Sequence, residues 1–274
     1  MKPWALWVLL VLLVLLVPVV AAVHVPAQAQ AQAPPPISPP APVSAISANS
    51  APLRSGYADM SPATQALQRD DALNPAWLWV VDGERRYAAD CSGCHSLQSL
   101  RGVAVRYPAF DELLGKPVTL AGRINLCRER HLKVPPLAPE SDDLLGLEAA
   151  VALQSRGLPV APDRDPRLQP WRDTGRALFN RRMGQLDFSC AQCHDQHAGG
   201  RLAGATIPQG HPTGYPIYRL EWQGLGSLQR RLRNCMIGVR AEPFADGSDE
   251  ATALALFLMQ RAAGLPLETP GVRP

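Results

Sequence analysis

The sequence lacks a strong net charge. It has 27 Lys and Arg against 24 Asp and Glu, so its formal charge at pH 7 is only +3. Proteins that bind the nucleic-acid backbone usually concentrate an excess of basic residues on one face, so this near-balance excludes nucleic acid as a partner. Lysine is scarce: the chain has only Lys2, Lys116 and Lys133. The other cations are arginines, whose planar guanidinium group suits oxyanions better than an ammonium group does.

Charged residues are almost absent from the first 52 positions, where Lys2 is the only one. The unbroken apolar run at positions 4–23 is typical of a secretory signal, and its length leaves an uncleaved membrane anchor as the alternative. Residues 1–23 are therefore predicted to be a signal peptide, cleaved near Ala22 or Ala27, or an anchor. Residues 24–60, rich in Ala, Gln, Pro and Ser, are predicted to be a flexible tether. Both alternatives place the remaining chain in the periplasm.

Cysteine is also scarce, with six in the chain. Six cysteines in an exported protein would ordinarily indicate disulfides, but four of them lie in two Cys-x-x-Cys-His pentapeptides. This pattern is typical of covalent haem c attachment, and the alternative of a zinc ribbon requires two cysteine pairs about 15–20 residues apart, much closer than these. The sequence therefore predicts two covalently bound haem c groups. The predicted attachment thiols are Cys91, Cys94, Cys190 and Cys193, and the predicted iron ligands that follow them are His95 and His194.

Methionine, a common second iron ligand in electron carriers, does not occur between Met60 and Met183. The first haem is therefore predicted to use another side chain, and the candidates that follow its attachment motif are Cys127 and His131. For the second haem, Met236 and Met259 remain possible methionine ligands.

An internal repeat favours cysteine as this second ligand. The segment Leu120-x-x-Arg123-x-x-x-Cys127 recurs as Leu228-x-x-Arg231-x-x-x-Cys235, and a further match relates residues 143–159 to residues 250–266. The position equivalent to His131 is occupied by Val239. If both haems use the same position, Cys127 and Cys235 are the ligands. A disulfide between these two cysteines is the alternative.

The repeat also predicts the fold. Each closing segment has apolar residues at helical spacing and ends in Gly-Leu-Pro, as expected of an amphipathic helix with a left-handed cap. Short helices are predicted ahead of the haem motifs at Gly83–Cys91 and Thr174–Met183. We expect a mainly α-helical protein with two cytochrome c type domains in tandem, at residues 61–162 and 163–274, joined by a linker at Arg164–Pro170.

Four arginines lie within six residues of the last cysteine, Cys235. Nearby cations favour the thiolate and so make a cysteine nucleophilic. Arg231, four positions before Cys235, shares its helix face and can hold a small dianion against the sulfur by paired charge-assisted bonds. Arg231 and Arg240 are the predicted substrate-binding residues, whereas Arg230 and Arg233 are expected to be solvated or to pair with haem propionates.

Together, the two haem motifs, the lone cysteine after each, the run from Tyr218 to Arg240 and the terminal Pro-Gly-Val-Arg273 resemble the SoxA family, the dihaem subunits of sulfur-oxidising L-cysteine S-thiosulfotransferases. The resemblance covers roughly residues 65–274. It implies that Cys235 is the active-site cysteine, ligates the second haem and can carry a persulfide. It also implies that Arg231 binds thiosulfate and that Cys127 ligates the first haem. Met236 departs from the polar residue expected at its position.

The resemblance further implies partners and a reaction. The partners are the mono-haem cytochrome SoxX, in a heterodimer, and a sulfur carrier of the SoxYZ type. The reaction is haem-dependent oxidative transfer of thiosulfate onto a carrier cysteine, with electrons passed to a soluble cytochrome c. A dihaem electron carrier without sulfur chemistry and a dihaem peroxidase are the alternatives, but neither explains the repeated Arg-x-x-x-Cys.

Overall fold

The structure, a computed structural model, describes residues 52–274. The predicted signal or anchor at residues 1–23 and most of the predicted tether lie outside these residues. Helices dominate, as expected for a cytochrome c domain. The α-helices are α1 Pro62–Arg69, α2 Trp77–Asp90, α3 Leu120–Cys127, α4 Asp142–Leu153, α5 Gln169–Asn180, α6 Leu228–Gly238 and α7 Asp249–Arg261. Single 3₁₀ turns lie at Leu97–Leu100, Ala104–Arg106 and Pro166–Leu168, and π turns at Arg128–Leu132 and Gln192–Gln196.

Short polar side chains determine where most of these helices begin. In each case a Ser or Thr hydroxyl accepts a hydrogen bond from the backbone N–H three residues later, which satisfies a donor that the first helical turn leaves free. These N-cap residues are Ser61, Thr119, Ser141, Ser227 and Ser248.

Two helix pairs form most of the core, α2 with α4 and α5 with α7. Each pair crosses at a glycine. A Cβ atom added to Gly83 would lie 1.9 Å from the carbonyl oxygen of Gly146, and one added to Gly175 would lie 2.1 Å from that of Ala253. Since real Cβ atoms never approach backbone so closely, only glycine allows the two helices of each pair to meet at this distance.

The closing helices α4 and α7 differ from the expected amphipathic pattern. Residues 251–259 of α7 are all buried, and α4 is buried on nearly every side from Leu144 onwards. Both helices lie inside the protein, so they bury all faces rather than one stripe. Their Gly-Leu-Pro ends agree with the prediction, because Gly157 and Gly264 have left-handed backbones with φ of +81° and +88°. Residues 157–160 and 264–267 pair with each other, with Pro159 opposite Pro266.

Within the predicted linker Arg164–Pro170, Leu168 is fully buried. Two other expectations need correction. The helices ahead of the haem motifs begin earlier than predicted, at Trp77 and Gln169, and the second one ends before Met183. Residues 52–60 of the predicted tether belong to the folded part, because the Arg54 N–H donates to the Gln209 side chain at 2.9 Å and Met60 is buried.

Short strands, which the sequence did not reveal, complete the fold. The strands are β1 Ala109–Asp111, β2 Lys116–Val118, β3 Arg201–Leu202, β4 Ala205–Thr206, β5 Ile217–Arg219, β6 Gly224–Gly226 and β7 Gly271–Arg273. Antiparallel pairs are formed by β1 with β2, β3 with β4 and β5 with β6, and β7 adds to β5 in parallel.

Within residues 52–274 we find no helix of the length and hydropathy needed to cross a bilayer.

Candidate haem and thiolate sites

The first haem-attachment motif begins where α2 ends. The Cys94 N–H donates to the Cys91 carbonyl oxygen at 3.1 Å, so both thiols lie on one turn, as predicted. The Tyr87 hydroxyl donates to the His95 carbonyl oxygen at 2.9 Å and lies 2.5 Å from the Nδ1 atom of His95. A hydroxyl has one proton to donate, and burial raises the pKa of Tyr87 to about 12, which keeps that proton in place. His95 Nδ1 must then be the donor, which leaves the Nε2 lone pair free for a metal.

The second motif achieves the same tautomer with a different partner. His194 Nδ1 lies 2.7 Å from the Pro208 carbonyl oxygen. A carbonyl only accepts, so Nδ1 carries the proton and Nε2 is again free. Burial lowers the pKa of His194, which favours the neutral form that ligates metals. Gly210, with φ of +77°, passes over the ring, where a Cβ would lie 3.1 Å from His194 Cγ.

Both motifs therefore present two thiols on one turn and an imidazole with its Nε2 available. This donor set fits covalent haem c attachment. Cys190 and Cys193 of the second motif are equivalent to Cys91 and Cys94 of the first. In both motifs the hydrogen bond at Nδ1 orients the histidine ring, as metal-ligating histidines require.

Each lone cysteine lies near one haem motif, Cys127 near Cys91 and Cys235 near Cys190. Burial chiefly raises the pKa of Cys91, and the charge of Cys127 adds to the effect; burial and then Cys235 raise the pKa of Cys190 to about 11. All six cysteines are free thiols, so the alternative of a Cys127–Cys235 disulfide is not found. Ligation of the two haems by Cys127 and Cys235 remains a prediction.

Arg231 and Cys235 lie on the same helix, α6, one turn apart. Burial lowers the pKa of the Arg231 guanidinium, but the negative charges of Cys235, Tyr215 and Glu221 outweigh it and raise the pKa overall. Within residues 52–274, Arg231 makes no ion pair and no side-chain hydrogen bond. A half-buried guanidinium beside a thiol and without a protein partner can bind an external anion.

The two arginines expected to have no substrate role are engaged elsewhere. The Arg233 guanidinium forms an ion pair with Asp246 at 2.5 Å. The Arg230 guanidinium lies 4.2 Å from the centre of the Trp222 ring, a favourable cation–π distance.

Arg240 is not brought to Arg231. It is exposed and follows the end of α6, with a left-handed φ of +57°. The helix from Arg231 to its last residue, Gly238, extends roughly 10 Å along the axis, and Arg240 lies beyond it. Arg240 lines an open groove of about 560 Å³ with Arg181, Met236 and Glu242. Its predicted role in substrate binding remains a prediction.

Two residues near Arg231 were missed from the sequence. Tyr215 and Arg219 lie close enough that the charge of Arg231 affects the pKa of each. Both residues lie before the start of α6 at Leu228, outside the helix, so helical spacing does not relate them to Arg231. The repeat, followed further upstream, relates Tyr215 to Tyr107 and Arg219 to Asp111, but it does not show that either residue lies near Arg231.

Comparison with known proteins gives the family. Residues 78–160 and 174–267 match the family model for the SoxA/TsdA cytochrome c domain. The chain belongs to the SoxA/TsdA family. The cytochrome c domain of this family implies covalently bound haem c, in agreement with the two attachment motifs. The resemblance to SoxA proteins stated above is thereby confirmed.

Relatives and a solved structure share most of the chain. It is 34% identical over 231 residues to the L-cysteine S-thiosulfotransferase subunit SoxA of Rhodovulum sulfidophilum, which covers 81% of this chain and 80% of the relative. It is 32% identical over 229 residues to the SoxA subunit of Paracoccus pantotrophus, covering 81% and 79%. The crystal structure of SoxXA from P. pantotrophus matches with a TM-score of 0.78 and 32% identity, over 81% of this chain and 87% of that one.

Proposed function

We propose that this chain transfers thiosulfate oxidatively onto a cysteine of a sulfur-carrier protein, as an L-cysteine S-thiosulfotransferase subunit. Its SoxA relatives carry that name. The observation that carries the proposal is the position of Arg231, without an ion-pair partner among the described residues and one turn before Cys235. An electron carrier has no use for an anion site beside a thiol.

The proposed assembly has two haem c groups on a tandem pair of cytochrome c domains, residues 61–162 and 163–274, in the periplasm. The cysteines of the two motifs would hold the haems, and His95 and His194 would ligate the irons. Cys127 and Cys235 are the proposed second ligands. By analogy with the SoxXA structure, we propose a mono-haem SoxX-type partner. A SoxYZ-type carrier, thiosulfate and a soluble cytochrome c are the other proposed partners.

Binding begins with charge. Thiosulfate is a dianion, and the fork of the Arg231 guanidinium can donate two parallel hydrogen bonds to its oxygens. Cys235 lies one helical turn from this guanidinium. Arg231 thereby brings the outer sulfur of thiosulfate towards a nucleophilic sulfur, although both species are negatively charged.

Bond formation and transfer follow in two steps. First, the Cys235 thiolate and the outer sulfur of thiosulfate form an S–S bond, and two electrons leave. Next, a carrier thiolate attacks the outer sulfur, the bond to Cys235 breaks, and Cys235 departs as a thiolate. The carrier keeps an S–S–SO₃⁻ group, and the proton of the carrier thiol is released to solvent. When bound, the haems would supply one-electron acceptors for this pair, with cytochrome c as the proposed final acceptor.

Cys235→Ser tests this proposal, with Cys127→Ser as the matched control. Thiosulfate-dependent reduction of cytochrome c is measured with the haem-loaded chain, its mono-haem partner and a thiol-bearing carrier. We expect Cys235→Ser to abolish electron release. Mass spectrometry of this variant should show that both haems remain covalently attached. Cys127→Ser should retain turnover. Retained turnover in Cys235→Ser would reject the nucleophile role.

A further inference from the structure

One local structure occurs twice in the chain, and its two copies carry opposite charges at one position near the repeated arginine. In the first copy, the β1–β2 hairpin leads into α3; in the second, the β5–β6 hairpin leads into α6. A single offset relates every position of the two copies, without gaps. The equivalent pairs are Tyr107 and Tyr215, Asp111 and Arg219, Arg123 and Arg231, and Cys127 and Cys235.

The arginine of the first copy is neutralised. Arg123 Nη1 lies 2.7 Å from Asp111 Oδ2, and Arg123 Nε donates to the Tyr107 hydroxyl at 3.2 Å. Arg130 adds two hydrogen bonds to the same carboxylate, at 2.8 and 3.0 Å. Asp111 is 2% exposed, and Arg130 above all holds its pKa well below the usual range. This guanidinium is therefore already engaged by the protein.

In the second copy, the acid is replaced by a base. Arg219 lies at the end of β5 opposite Gly224, the register that Asp111 has opposite Lys116 in the first copy. Its side chain is 14% exposed. Burial lowers the pKa of Arg219, and the positive charge of Arg231 lowers it further. The two guanidinium groups therefore lie close enough for their charges to repel each other.

One acidic side chain lies beside this pair. Glu221 Oε1 is 2.7 Å from Arg219 Nε, but the Glu221 side chain is 49% exposed and so largely hydrated. The Trp222 ring covers the Arg219 guanidinium at 5.3 Å from its centre. Two partly buried guanidinium groups with one solvated carboxylate leave a positive charge that a bound anion would neutralise.

We propose that Arg219 and Arg231 together bind the thiosulfate dianion. The second copy has Arg219 where the first has Asp111, and this difference makes the second site, and not the first, an anion site. The inference rests on the proposed function for the identity of the anion. Each arginine supplies charge-assisted hydrogen bonds to one side of the ligand. Arg219 would then set both affinity and charge selectivity.

The test measures binding apart from turnover. Calorimetric titration of the haem-loaded complex with thiosulfate, and separately with sulfate, is done without carrier or electron acceptor. The variants are Arg219→Asp, which restores the charge found in the first copy, and Arg219→Lys. Arg230→Gln is the matched control, because Arg230 also packs on Trp222. We expect Arg219→Asp to weaken thiosulfate binding on the order of a hundredfold, Arg219→Lys to weaken it less, and Arg230→Gln to leave it unchanged.

Two outcomes would overturn the proposal. Unchanged thiosulfate affinity in Arg219→Asp is one. The other is a shifted potential of the second haem with unchanged affinity, which would make Arg219 a partner of a haem propionate. Binding of sulfate and thiosulfate that depends on Arg219, in a complex without thiosulfate turnover, would support the anion site while rejecting the proposed function.

Discussion

The Tyr87 hydroxyl oxygen lies 2.5 Å from Nδ1 of His95 and fixes the tautomer of the first predicted haem ligand. The second ligand, His194, has a backbone carbonyl in this place. A side chain can be removed by mutation and a carbonyl cannot, so the two sites can be perturbed separately.

Tyr87→Phe should therefore raise the reduction potential of the first haem and leave that of the second unchanged. An acceptor at Nδ1 makes the imidazole a stronger donor to oxidised iron, and its loss favours the reduced state. Because Phe fills the same buried space, we expect a loss of only about 1 kcal/mol in the free energy of unfolding. Redox titration followed by visible spectroscopy measures both haems.

Tyr57→Phe is the control for this experiment, because the Tyr57 hydroxyl makes no hydrogen bond within residues 52–274. Equal shifts of both haem potentials in Tyr87→Phe would contradict the assignment, as would a shift in the control.

A hairpin present in the second half alone supports the end of α6. The glycine at the helix crossing is eight residues before the haem motif in the first half, from Gly83 to Cys91, and fifteen in the second, from Gly175 to Cys190. The additional residues form a turn closed by hydrogen bonds of 2.9 and 3.2 Å between Met183 and Phe188.

This hairpin contacts α6 through its backbone. The N–H groups of Gln185 and Leu186 donate to the carbonyl oxygens of Arg240 and Val239, at 3.2 and 3.3 Å. A Cβ on Gly184 would lie 2.1 Å from the Val239 oxygen. The hairpin continues directly into the second haem motif, so it links that motif to the helix that carries Cys235.

Gly184→Ala should displace this end of α6 and expose the Cys235 thiol. We expect severalfold faster alkylation of Cys235 by iodoacetamide, with Cys127 in the same molecule as the internal reference. Peptide mass spectrometry measures both. The control is Gly247→Ala, since Gly247 has a similar φ, +70° against +72°, but no atom within 4 Å of an added Cβ. Equal rates in the two variants would show that the contact with Val239 does not position the thiol.

Local features of this protein could be predicted from its sequence. The haem motifs, the Gly-Leu-Pro ends and the pairing of Arg231 with Cys235 depend on residues a few positions apart, and helical geometry relates such residues directly. Features that depend on distant residues could not. The His194 bond to the Pro208 carbonyl crosses a loop, and the burial of α7 on all sides depends on packing against α5 and on the pairing of both closing segments.

The neutralisation of Arg123 is a second feature that could not be predicted, because it too depends on residues outside its own helix. Sequence spacing identified Arg123 and Arg231 as equivalent, but their different chemistry depends on Asp111 and Arg219, which lie on strands the sequence did not reveal. Strands of three residues have too few positions to show an alternating pattern.

Glu148 on α4 provides the last prediction. It lines a mostly apolar cavity of about 230 Å³ between α4 and the beginnings of α3 and α6. Burial, with a contribution from the charge of Glu140, raises the pKa of Glu148 to about 7. The other titratable groups on this cavity are Tyr107, Glu140, Tyr215 and Asp246, and none of them supplies a cation to stabilise the carboxylate.

An ordinary glutamate titrates near pH 4.3 in the unfolded chain. Between about pH 4.3 and 7 the folded protein therefore binds more protons than the unfolded chain, so its stability should fall as the pH rises through this range and level off above it. The contribution is at most about 4 kcal/mol. Glu148→Gln, which stays neutral, should lose this fall, so its advantage over the unmodified protein should grow from pH 5 to pH 8. Urea unfolding at several pH values measures it, with the exposed Glu84→Gln on α2 as the control. If the two variants respond to pH in the same way, Glu148 is ionised in the folded protein at neutral pH, and the cavity must admit enough water to solvate its charge.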